Sequence, residues 1–139
     1  MEQRDIIKDQ IEQLGKVLAA VLAKFLQLKS QGQASQGLEI TSQRLQSELD
    51  INIERIATLN KDELTEYITD RELTADNLEV LSDYLKEIGI ETETNGDQAR
   101  IRFEKSIELL HIADEISRSA SFDRENKKKR IQNLLNGSA

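Results

Sequence analysis

The chain has 139 residues, enough for one domain with its own hydrophobic core. Charged residues make up 32% of it, the net charge is −7, and it contains no Pro, Cys or Trp. This composition excludes disulfides, thiolate metal sites and Cys nucleophiles. It also weighs against bulk affinity for nucleic acid and, with few aromatics and little Val, against a β-sheet.

Leu, Ile, Glu, Lys, Gln and Arg dominate, all good helix formers, and the strongest helix breaker is missing. A first helix is predicted over residues 3–29. There Ile7, Ile11, Leu14, Leu18, Val21, Phe25 and Leu28 step by alternating fours and threes, a heptad seam. Ile6, Val17, Leu22 and Leu26 widen the stripe, which implies more than one neighbour. Gly15 sits mid-helix, where it either allows a close crossing or is simply tolerated. Gly32 suits a left-handed helix stop, and Ser35 is the expected N-cap of a second helix over 36–49, with Leu38, Leu45 and Leu49 inward.

Residues 51–59 admit two readings. Ile51 and Ile53 alternate as in a strand, whereas Ile53, Ile56, Ala57 and Leu59 fit one or two helical turns. Helix is favoured because no second strand exists to pair with. Asn60 and Glu63 form a capping-box pattern ahead of a helix over 61–70 that buries Leu64, Tyr67 and Ile68. Thr74 caps the next helix, with Leu73 and Leu78 placed as a hydrophobic staple. Gly89 is a fork: a Schellman stop with Leu85 and Ile90, or continuation with weakening as far as Asn95-Gly96, the stronger turn dipeptide. Continuation is the expectation. A helix over 98–119 carries Ile101, Phe103, Ile107, Leu109, Leu110, Ile112 and Ile116 around most of its circumference, so it is expected to be central. Ser121 caps a last helix over 122–135 with Ile131, Leu134 and Leu135 inward. Phe122 and Arg124 are expected to pin that helix to the body, and Tyr67 and Tyr84 to lie in the core with their hydroxyls at the rim.

The expected architecture is all-α, with five to six helices in antiparallel hairpins. Residues 1–136 form one domain and 137–139 a frayed tail. The polar start Met1-Glu2-Gln3-Arg4-Asp5 shows no signal-peptide pattern. The most apolar run, Val17 to Leu28, is shorter than the ~20 residues that cross a bilayer. A cytoplasmic protein without membrane contact is therefore expected.

The turn residues resemble those of tetratricopeptide repeats. Gly32 and Gly37 fall at the loop Gly and the small second-helix position, and Ala99 and Phe103 at the small and aromatic positions of a second hairpin. Gly37 stands where the repeat has Ala, Gly96 lies close to Ala99, and the closing Pro is missing. Over its whole length the chain is similar to a family of short bacterial all-helical proteins with tetratricopeptide-like hairpins. The likeness rests on Ile11-Glu12-Gln13-Leu14-Gly15, the Gly-rich turn, Leu59 to Leu64, Leu78 to Leu85, and Ser121-Phe122-Asp123-Arg124 before the basic run. That resemblance implies a fold and no assigned activity.

Two constellations carry potential chemistry. Glu104, Glu108, His111 and Glu115 fall within about 60° of one another on a helix, and Glu108-x-x-His111 has the spacing of di-iron carboxylate bundles. That chemistry needs a second such motif, and His111 is the only histidine. A solvated Glu stripe is the expectation, with no metal and no cofactor. Lys127, Lys128, Lys129 and Arg130 form a basic run in a segment, 122–136, whose net charge of +3 leaves −10 on the rest. Without interleaved aromatics it reads as a face acting within the molecule or at a protein interface, with no nucleic-acid binding expected. The leading functional expectation is a non-catalytic interaction or scaffold module whose partner is another protein or a second copy. A carboxylate-rich bundle with enzymatic or metal-binding activity is the alternative, and a nucleic-acid-associated regulator the next.

Overall fold

The computed structural model describes residues 2–92 and 97–137, with the side chains of the first segment from Asp9 onward. These residues form seven helices and no strand: α1 (Glu2–Ser30), α2 (Ala34–Leu49), α3 (Ile53–Thr58), α4 (Lys61–Asp70), α5 (Ala75–Glu91), α6 (Asp97–Ser117) and α7 (Phe122–Leu135). That exceeds the five to six expected. The stretch after residue 50 is a helix of its own, because the Asn52 side chain accepts from the backbone N–H groups of Glu54 and Arg55.

Five helices are followed by a residue of positive φ, Gly137 after α7 among them. At Gly32 (φ 74°), the N–H groups of Gly32 and Gln33 donate to the carbonyls of Lys29 and Leu28, a Schellman motif. Asp50, Glu72 and Arg118 occupy the same left-handed position, with φ of 54–57°. After Glu72, Leu73 is buried beside Ile68, the apolar contact that accompanies the Schellman motif, and after Asp50, Ile51 is buried beside Leu45 in a wider turn whose N–H groups reach the carbonyls of Gln46 and Leu45. The tight stop at Gly32 also corrects the start of α2. Gln33 already points its carbonyl at the N–H of Gly37, so Gln33, not Ser35, is the N-cap, and no side chain caps it.

The Asn60 capping box forms as read, and the Thr74 cap proves to be a second box. Asn60 pairs with Glu63, and Thr74 pairs with Asn77. Helix α5 runs through Gly89 to Glu91, so Gly89 is not a stop, and the Asn95-Gly96 dipeptide lies outside the described residues. Gly89 serves a close approach instead: a Cβ there would lie 2.7 Å from the Phe103 ring.

Helix α1 packs antiparallel on α2 and alongside α5, α5 pairs with α6, and α7 closes over α6. The main core gathers Leu18, Val21, Phe25, Leu45, Ile56, Leu64, Tyr84 and Leu85. A smaller cluster, Ala99, Phe103, Leu110 and Ile131, seats α7 on α6. Two serines lock the α5–α6 contact: Ser82 Oγ donates to the Ser106 carbonyl at 2.9 Å, and Ser106 Oγ to the Ser82 carbonyl at 2.7 Å, both fully buried. Ile116, one of the apolar set on which the central placement of α6 is expected, is exposed in its last turn.

Tyr84 corrects another expectation. Its hydroxyl is not at the rim but buried against Thr41 Oγ1 at 2.7 Å, edge-on to Phe25. Burial pushes it up to about 12, against the opposing Thr41 hydrogen bond. Tyr67 accepts from the Asn52 N–H and stacks under the Arg71 guanidinium.

Candidate functional site: the outer face of α1

The four residues considered for a metal lie along the solvent side of α6, and His111 is exposed. Their carboxylates are occupied by cations. Glu108 bonds Lys105 at 3.0 Å, Glu115 bonds Lys61 at 2.7 Å, and Glu104 faces Arg100 at 3.8 Å. Among the described residues, no group of three or more His, Asp or Glu side chains is placed to hold a metal ion.

The basic run divides. Lys127 reaches Asp83 at 3.0 Å and Glu79 at 3.5 Å on α5, and Lys128 bridges Asp114 on α6 and Glu125. Lys129 and Arg130 are exposed. The anchor of α7 is Arg124, which is buried and donates to Asp114 Oδ1 at 2.6 Å, Ser117 Oγ at 2.9 Å and the Ser119 carbonyl at 2.8 Å. Burial alone would raise the Asp114 carboxyl, but the bonds from Lys128 and Arg124 outweigh it and hold the group below its ordinary value. Phe122, expected to share in pinning α7, does not: it is 85% exposed. At the first helical position after the Ser121 cap, it points away from the α6 face that holds Arg124.

The site that sequence reasoning only brushed lies on α1. Leu18, Val21, Phe25 and Leu28 fill the core, yet the opposite side of the same turns is also apolar. Ala19, Ala23 and Leu26 form an i, i+4, i+7 ridge facing solvent, with Leu26 39% exposed. A cleft runs along each flank. Between α1, α5 and α7, a cleft of about 300 Å³ has Leu22 and Leu26 as floor and Lys86, Lys127 and Arg130 on its rim. Between α1 and α2, one of about 420 Å³ is lined by Ala20, Ala23 and the 42% exposed Ile40, with Lys24 and Arg44 at its edge.

No family model matches the chain, and no curated protein and no solved structure matches it.

The electrostatics of the α1 face differ from those of the whole molecule. The two clefts are lined by five cations and two carboxylates, Asp83 and Glu87, a local positive excess on a chain of net charge −7. Asp83 is held by Lys127, and Glu87 by Lys29 at 2.9 Å. The face combines small apolar residues, which permit close approach of a backbone, with long cationic arms on both sides.

Proposed function

We propose that this chain is a non-catalytic helical interaction or scaffold module, built of hairpins in the tetratricopeptide manner, that receives a protein partner on the outer face of α1. On the motif likeness given above, we also infer membership of the family of short bacterial all-helical proteins and a cytoplasmic setting. One observation carries the functional reading: the most apolar run of the chain exposes Ala19, Ala23 and Leu26 between two clefts. Burying such a ridge against a partner recovers roughly 25 cal/mol per Å² of apolar surface, and contiguous apolar surface rimmed by polar groups is typical of interaction sites. The basic run favours this reading over a nucleic-acid regulator, since Lys127 and Lys128 are spent on carboxylates of α5 and α6.

The test is a photo-crosslinking residue placed at Ala23, with Gln132 on α7 as the control position, in the native cell. The expected result is a discrete adduct from position 23, absent from position 132 and abolished by Leu26→Glu, while the melting temperature of the purified variant stays within a few degrees of the parent. Equal labelling from both positions would refute the reading.

A further inference from the structure

Resting on that reading, we infer that the occupant of the α1 face is an amphipathic helix with acidic flanks, supplied by a different protein. The shape argues for a helix. Two parallel clefts bordering a ridge of Ala19, Ala23 and Leu26 are the grooves into which the side-chain ridges of a second helix pack, at an interaxial distance of about 8–10 Å that small residues make accessible. Such recognition uses apolar anchors one turn apart on the incoming helix.

Charge sets the class of partner. Among the described residues Lys24 and Arg130, one on each rim, make no salt bridge, and Lys86 approaches only Glu87, at 3.8 Å. Carboxylates flanking the apolar stripe of the incoming helix would meet these three cations on opposite sides, which fixes its lateral position. The same charges disfavour a second copy of this chain. A twofold pairing of α1 faces sets each cationic rim against its equivalent or against the other cationic rim, and like charges brought together at an interface are repulsive.

The experiment pans a display library of helical peptides against the full chain, with counter-selection on Leu26→Glu, and measures the enriched peptides by titration calorimetry. The expected peptides carry apolar residues at i, i+3 or i+4, and i+7 with Asp or Glu on both flanks. Their affinity should fall at least about tenfold, equivalent to about 1.4 kcal/mol, for Arg130→Glu as for Leu26→Glu. A Glu→Lys change in the peptide should restore binding to Arg130→Glu, a rescue that general destabilisation cannot produce. Enriched peptides that are neutral or basic yet lose binding in Leu26→Glu would overturn the acidic-helix assignment and leave the interaction reading standing. No enrichment, or binding indifferent to both substitutions, would overturn both. Leu26-dependent sedimentation with phosphatidylglycerol vesicles would replace the helix by a lipid surface, and a Leu26-dependent dimer would replace it by a second copy.

Discussion

Gly15 and Gly89 both lie inside helices, and the same substitution to Ala should move stability in opposite directions. In a helix interior Gly costs roughly 0.5–1 kcal/mol relative to Ala, through backbone entropy in the unfolded chain. At Gly15 a new Cβ would lie 3.7 Å from Asn77 Nδ2, an ordinary contact, so Gly15→Ala should gain that amount. At Gly89 it would lie 2.7, 3.0 and 3.1 Å from three atoms of the Phe103 ring. Three consecutive ring atoms cannot all be relieved by a small twist, and the ring is held by Ala99, Leu110 and Ile131. Overpacking of this kind costs roughly 1–3 kcal/mol, so Gly89→Ala should lose a net ~0.5–2 kcal/mol. Each kcal/mol moves the melting temperature by about 4 °C in a domain of this size. Thermal and urea melts of both single variants check the sign. In a Phe103→Leu background the Gly89→Ala penalty should disappear, giving a coupling of about 1 kcal/mol or more. Gly89→Ala as stabilising as Gly15→Ala would refute the close-approach argument.

Three further outcomes follow from buried and strained groups. Arg102 is buried with one partner, Glu54 Oε1 at 2.9 Å, while its Nε and Nη1 have none among the described residues. Arg102→Met should therefore be neutral or stabilising by up to ~2 kcal/mol, and a clear loss in urea melts would show that the guanidinium is better satisfied than this geometry gives. Asp114 titrates below its ordinary value, so its stabilisation is complete above the unfolded value near ~3.9 and is lost as pH falls through the lower folded one. Asp114→Asn should flatten the acid limb of the stability–pH curve, and an unchanged slope in acid urea melts would refute the role given to Lys128 and Arg124. Glu72 holds φ 56° while exposed to solvent, so Glu72→Gly should gain a few tenths to about 1 kcal/mol, with a measured loss counting against strain at that stop.

Helix starts were legible in the sequence, and helix stops less so. Asn60, Thr74 and Ser121 accept hydrogen bonds from the backbone N–H three residues ahead, which spacing alone reveals. The stop at Gly32 was equally plain, because Gly enters the left-handed region freely. Asp50, Glu72 and Arg118 enter it without that licence. At the first two, tertiary packing supplies the reason: Ile51 and Leu73, one residue further on, are drawn into the core. The N-cap of α2 departs from the expected Ser35 by the same logic in reverse. Ser35 has the right side chain, but the Schellman turn at Gly32 had already delivered Gln33 to the capping position.

The α1 face shows where periodicity stops being informative. The heptad seam of Leu18, Val21, Phe25 and Leu28 marks the core side, and Leu22 and Leu26 signal a second neighbour. Which neighbour arrives, and how far it covers them, depends on α7. That helix is positioned by Arg124, Lys127 and Lys128 through carboxylates on α5 and α6 lying 10 to 45 residues earlier in the chain. Those bonds hold α7 against α5 and α6 and leave Arg130 at the edge of an open cleft over Leu22 and Leu26. The basic run and the apolar run, separate features in the sequence, thus become the rim and floor of one surface. The ion pairs that fix α7 also set how much of α1 remains uncovered.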